Sequence, residues 1–117
     1  LVKVNFKYIY KIIDTDEWQK AIEKGSYLGS KKDNEDGYIH FSEQEQVEGT
    51  LKKYYSNKKN LTLLKVDTLK LENLLWEQAS DGNMFPHLYS RLNVKSVVSE
   101  DLIDIDVNGS HILPNNF

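Results

Sequence analysis

The stretch Asp36-Gly37-Tyr38-Ile39-His40-Phe41-Ser42 leaves this chain few ways to fold. Side chains of a strand alternate between faces, so Gly37, Ile39 and Phe41 share one face and Tyr38, His40 and Ser42 the other. The first set can pack a core, while the second presents a polar, aromatic row. Ser42 is also placed to open a helix. Its hydroxyl can accept from the amide of Glu45, whose carboxylate can reach back in a capping box. Strand, turn and helix start are thus set within a few residues, and the row Tyr38, His40, Ser42 reads as the floor of a site.

The rest of the chain follows from its patterning. Phe6 to Ile13 is rich in aromatic and β-branched residues and predicts a strand, central in its sheet because both faces carry apolar residues. Asp14 reads as the N-cap of a helix reaching about Lys24, with Glu17 three residues on; Trp18, Ala21 and Ile22 share one face, and Gly25 suits the left-handed end. Ser26 to Asp36 is polar and turn-forming, which predicts an exposed, mobile loop, with a lid as the functional alternative. A helix from about Glu43 to Ser56 follows, with Val47, Leu51, Tyr54 and Tyr55 on one face. Lys52, Lys53, Lys58 and Lys59 gather near its C-terminal end, where they complement the helix dipole.

Leu61–Asp67 predicts a third strand, Thr68–Asn73 a turn or short helix, Leu74–Glu77 a further strand, and Ser80–Asn83 a turn. In Phe85-Pro86-His87-Leu88-Tyr89, Pro86 restrains the backbone just before His87. Val94–Val98 reads as another strand, with Leu102, Ile103 and Ile105 as a last one. No repeat or low-complexity segment interrupts the chain. The pattern is α+β, a compact sheet of about five strands with two early helices. One domain over residues 1–117 is expected, with 1–5 and 108–117 poorly ordered.

Composition narrows the function classes. With 15 basic and 18 acidic residues, a formal net charge of −3 leaves no electrostatic footprint for nucleic acid or an acidic membrane surface. There are no cysteines, which removes disulfides, thiolate catalysis and zinc–cysteine sites together. No apolar run approaches a membrane span and no basic-then-apolar leader opens the sequence, so a soluble, cytoplasmic protein is expected. The start at Leu1 rather than Met points to a trimmed or vector-derived end.

Motifs for familiar chemistries are lacking. The three histidines stand far apart, with no H-x-x-H or H-E-x-x-H spacing, so no metal site is expected. There is no G-x-S-x-G elbow, phosphate-binding loop or dinucleotide glycine fingerprint. What remains is His40 with Ser42, Glu77 beside Trp76, and His87 with Tyr89. Singly, each has a plain structural explanation: a strand histidine bonding a carbonyl, a surface ion pair, a turn satisfying its own backbone. Two histidine-bearing stretches on locally rigid elements make a stronger case for a site.

The combination Tyr10-Lys11-Ile12, Trp18, Gly25, Asp36–Ser42, Gln46, Trp76-Glu77 and Phe85–Tyr89 resembles the bacterial domain-of-unknown-function family 952, from about Tyr8 to Val98. The paired motifs G-[FY]-I-H-[FL]-S and F-P-H-L-Y carry the resemblance. That family is grouped by fold with the ADP-ribosyltransferases, which implies a compact split β-sheet, an NAD-type cleft and NAD as substrate. Gly37–Ser42 is similar to the G-x-Y-F-[AS] strand of the poly(ADP-ribose) polymerases, with His40 in place of the tyrosine that stacks on nicotinamide. Transferases with two histidines, such as the RNA 2′-phosphotransferases, are the nearer comparison. Where such enzymes carry a His or Arg on the first strand, this chain offers Lys11 beside Tyr10.

The resemblance implies catalytic roles for His40, Glu77 and His87 and ligand-binding roles for Lys11, Tyr38, Ser42 and Tyr89. Cleavage of the nicotinamide–ribose bond passes through an oxocarbenium-like transition state, as in glycoside hydrolysis. Glu77 would bond the ribose 2′-hydroxyl, Lys11 would favour phosphate, and His87 with Tyr89 would orient the pyrophosphate or act on the acceptor. The alternative from a different class is a non-catalytic small-molecule or nucleotide sensor on the same fold. A third is a protein-interaction module that uses the tyrosine-rich first strand as an edge.

Overall fold

Alternation along the first strand shares its side chains between two cores. The structure, a computed structural model, describes residues 6–117, so the expectation for residues 1–5 lies outside it. In β1 (Tyr8–Asp14), Ile9 and Ile13 face one core while Tyr10 and Ile12 face the other. Such a strand must be covered on both sides, as the apolar content of both its faces predicts. One cover is α1 (Thr15–Lys24), capped by Asp14, whose carboxylate accepts from the Glu17 amide at 3.0 Å. It ends at Gly25 with φ at 87°, a conformation that costs glycine little. Trp18 and Ala21 are buried beneath it, but Ile22, expected on the same face, is 41% exposed. The other cover is α3 (Val47–Tyr54), which buries Val47 and Leu51 and leaves Tyr54 largely in solvent.

β4 (Leu61–Asp67) pairs antiparallel with β1 over its full length, as its apolar run requires. β8 (Val97–Ile105) pairs with the other edge of β4, and β9 (His111–Ile112) extends the sheet to the order β1-β4-β8-β9. β1 therefore lies at the end of its sheet and is not central; its double-faced burial comes from the elements packed on its two faces, not from strands on both edges. Residues 97–105 form one strand where two were expected, because the polar run Ser99–Asp101 is tolerated on an exposed stretch. At the C-terminus, Leu113 and Phe117 lie against the second core, and the Phe117 ring meets Tyr10 edge-on at 5.5 Å.

A second sheet has the order β3-β6-β5, from β3 (Ile39–His40), β5 (Leu74–Gln78) and β6 (Met84–Leu88). β2 (Ser26–Tyr27) and β7 (Leu92–Asn93) form a small separate pair. The large sheet and the β3-β6-β5 sheet join where Tyr10 and Ser42 exchange backbone hydrogen bonds, each 2.8 Å long. That bridge occupies part of the β1 edge which a strand-pairing module would need free. Ile39, Phe41, Leu88 and Leu92 fill the space between the sheets together with Ile9, Leu64 and Trp18.

Trp18 holds this inner core, being 1% exposed. Trp18→Ala is expected to lower unfolding free energy by about 3–5 kcal/mol in urea titration. Ile22→Ala, on the same helix but half in solvent, should change it by less than about 1 kcal/mol.

Candidate functional site

The segment between β2 and β3 is the largest departure from the sequence reading. In place of a mobile loop stands α2 (Lys31–Asp36). Ser30 and Asp33 form a reciprocal capping box: the Asp33 amide donates to Ser30 Oγ at 3.1 Å, and the Ser30 amide to Asp33 Oδ2 at 2.9 Å. Gly37, expected to open a strand, ends this helix with φ at 88°. Only Ile39 and His40 of the expected Gly37–Phe41 strand pair with a neighbour. The predicted alternation nevertheless holds, with Ile39 and Phe41 buried in the core and Tyr38 and His40 turned to the opposite side.

Asp33 is the centre of the first polar cluster. It is 2% exposed, a position an unpaired carboxylate could occupy only at great cost. Lys11 Nζ approaches its two oxygens at 3.1 and 3.3 Å, and the His40 amide donates to Oδ1 at 3.1 Å. The His40 ring completes the set, with Nδ1 at 2.5 Å from Asp33 Oδ1 and Nε2 at 2.9 Å from Asp36 Oδ2. Lys32 approaches the same Asp36 oxygen at 3.2 Å. Burial pushes the Asp33 carboxyl up, but hydrogen bonding to His40, the Lys11 charge and two backbone amides outweigh it and hold it well below the usual range. Burial draws the Lys11 ammonium below the ordinary lysine value, with Asp33 opposing.

The second cluster hangs from β6. His87 is almost fully buried, and its Nδ1 lies 2.8 Å from Glu77 Oε1 on the paired strand β5. Tyr89 donates its phenolic proton to the same oxygen at 2.6 Å. Tyr89 and then His87 thereby hold Glu77 below its ordinary value, while the bond to Glu77 pushes the Tyr89 phenol up to about 12. Tyr38 links the clusters, its ring stacked on His87 at 3.9 Å and tilted against His40 at 4.7 Å. The two imidazoles stand edge to face at 5.7 Å.

Both clusters meet an open cleft of about 880 Å³, bounded on the far side by α3 and by the β5–β6 turn. Of the residues singled out from sequence, Lys11, Tyr38, His40, Ser42 and His87 line it. Glu77 and Tyr89 do not. Glu77 bonds the cleft-lining His87, and Tyr89 bonds Glu77. Ser42 serves differently from the expectation: its hydroxyl pairs with Thr50 Oγ1 at 3.1 Å, and a capping box between Glu43 and Gln46 starts the turn that precedes α3. Lys53 and Lys58 lie on the wall formed by α3 and the residues after it. Sequence reasoning missed Asp33 and Asp36. The spacing Ser30-x-x-Asp33 before Gly37 was the available signal. Among the described residues, no group of three or more His, Asp or Glu side chains is arranged to hold a metal ion, since Asp33 and Asp36 are directed at the imidazole they flank.

Two antiparallel sheets joined at one bridge, with paired histidines beside the join, define a small α+β protein built around a polar cleft. The chain belongs to the family described as "Protein of unknown function (DUF952)", which matches residues 12–100. It is similar to protein CC0527 from Caulobacter crescentus. The crystal structure of that protein is 40% identical, with a TM-score of 0.84 over 90% of this chain and 93% of that one. Its solution NMR structure gives 41% identity and a TM-score of 0.80 over 89% and 90%. No curated protein matches the sequence. No helix among the described residues is long and apolar enough to cross a membrane.

Because the Asp33 carboxyl is depressed in the fold, its contribution is fully present above the unfolded value of about pH 4 and is lost as pH falls through the folded value. Acid titrations of the parent are expected to show a loss of stability below pH 4, and Asp33→Asn should flatten it. Asp33→Ala leaves Lys11 buried without a partner and should cost about 3–5 kcal/mol at neutral pH, read by denaturant melts.

Proposed function

We propose that the cleft binds NAD or a related nucleotide and supports transfer or hydrolysis of ADP-ribose, on an ADP-ribosyltransferase-like split sheet. The observation that carries this reading is the convergence of Lys11 from β1, His40 from β3 and His87 from β6 on one cleft where two sheets part. These are the strands on which the resemblance places ligand-holding residues. A volume of about 880 Å³ is within the range of small-molecule sites, roughly 300–1,000 Å³.

The chain's own groups suit the task. The Tyr38 ring, packed on His87, gives a flat apolar surface for a heteroaromatic ring. Lys53 and Lys58 across the cleft supply positive charge for phosphates. Bound NAD would supply a glycosidic bond whose cleavage develops positive charge on the ribose. The carboxylates of Asp36 and Glu77 set the sign of the field at the histidine wall. In this reading Glu77 acts through His87, which its carboxylate bonds, in place of the bond to the ribose 2′-hydroxyl that the resemblance implies. A cytoplasmic setting fits this reading.

A non-catalytic nucleotide-binding module is the second reading. It is favoured by one specific observation: Lys11, Asp33, His40 and Asp36 are joined in one chain of pairs, which makes that half of the site a rigid support. Ligand-observed NMR with NAD⁺, ADP-ribose and nicotinamide tests both. Binding of NAD⁺ that weakens about tenfold or more in His40→Ala, with the variant's folding checked by amide spectra, is the expected result. Binding without turnover would favour the module. Failure of all three to bind at millimolar concentration would overturn the nucleotide reading.

A further inference from the structure

The two histidines of the cleft differ in one respect that decides what each can do. His40 has both ring nitrogens engaged by carboxylates, Nδ1 by Asp33 and Nε2 by Asp36. A carboxylate can only accept from these nitrogens, so both contacts are hydrogen bonds only when each nitrogen carries a proton. Neither is then available to take a proton from a ligand. His87 has one nitrogen engaged, Nδ1 with Glu77, and Nε2 has no partner among the described residues. His87 lines the cleft and Glu77 does not, so with Nδ1 engaged by Glu77 the nitrogen left to meet a ligand there is Nε2.

We infer that His87 is the proton-transfer group of this cleft, accepting on Nε2 the proton of a hydroxyl acceptor, water or an alcohol, with Glu77 as its positioning residue and His40 as a fixed wall. This rests on the nucleotide reading above for its substrate. The Glu77 carboxylate accepts the Nδ1 proton and so fixes the tautomer whose Nε2 lone pair is free. Tyr89 donates to the same carboxylate oxygen and braces it, and the Tyr38 ring shields one face of the imidazole. The other ionisable groups around His87 are the His40 ring edge-on and, beyond it, Asp33 and Asp36 with Lys11 and Lys32. In the step proposed, the acceptor oxygen bonds to the anomeric carbon as the bond from that carbon to the nicotinamide nitrogen breaks. The nitrogen keeps the electron pair, and the acceptor's proton passes to Nε2 and then to solvent.

Long-range ¹H–¹⁵N NMR reads the tautomer directly, with His111, whose Nε2 lies 2.8 Å from the Lys58 carbonyl, as internal reference. Neutral His87 is expected to carry its proton on Nδ1, and Glu77→Ala to move the population toward the Nε2-protonated form. A proton on Nε2 in the parent protein would overturn the inference. With NAD⁺ as probe, His87→Gln should lower kcat by about 10²–10⁴-fold while KM changes by less than about threefold; an unchanged kcat would also overturn it. ADP-ribose as product identifies water as acceptor, and an alkyl glycoside formed in added methanol identifies an alcohol. If the parent binds no NAD⁺, the nucleotide reading fails by itself, and the tautomer measurement alone decides the role of His87.

Discussion

A lysine on a strand covered on both faces needs a charge beside it, and the arrangement of this site follows from that requirement. Lys11 lies between Ile9 and Ile13 on the face of β1 that looks into the main core. Left alone there, the ammonium would lose most of its hydration without compensation. Asp33 supplies the partner, and to do so the chain must bring α2 up to Lys11 in the middle of β1. The same carboxylate then binds the amide and ring of His40. One buried ion pair therefore fixes the positions of a helix, a strand end and an imidazole.

Each part of this arrangement depends on the others. The cap between Ser30 and Asp33 starts α2, and Gly37 stops it after less than two turns, so Asp36 reaches the far nitrogen of His40. A helix this short has little intrinsic stability in water. It is held instead by its tertiary bonds to Lys11 and His40. The price of this design is that a single broken contact is felt across the set, whereas the Glu77–His87–Tyr89 cluster, on paired strands of an antiparallel sheet, is supported by its own ladder.

Much of this was legible from residue order. The strand β4, the helix α1 with its Asp14 and Gly25 ends, and the burial of Trp18 follow from local pattern and appear as predicted. The placing of Tyr38 and His40 opposite Ile39 and Phe41 follows from alternation alone. Asp33 was hidden because its neighbours Lys31, Lys32, Asn34, Glu35 and Asp36 give the segment the composition of a solvated loop. Burial of one carboxylate among them is decided by Lys11, far away in sequence, and no local rule registers that. The single strand β8 and the packing of Leu113 and Phe117 were obscured for a related reason. Ser99, Glu100 and Asp101 look like an interruption, and Leu113 and Phe117 look isolated, until β4 and Tyr10 provide their surroundings.

The contrast between the two histidines shows why residue type alone could not assign roles. Both sit on short strands, are paired across β3 and β6, and contact Tyr38. Sequence places them in equivalent settings. What separates them is the number of carboxylates within reach: two for His40, from a helix that the sequence does not advertise, and one for His87, from the neighbouring strand. A second carboxylate converts an imidazole from a group that can exchange a proton with a ligand into one whose nitrogens are both occupied. In this fold, the buried lysine that recruits Asp33 is thus also what removes His40 from proton transfer and leaves that capacity to His87.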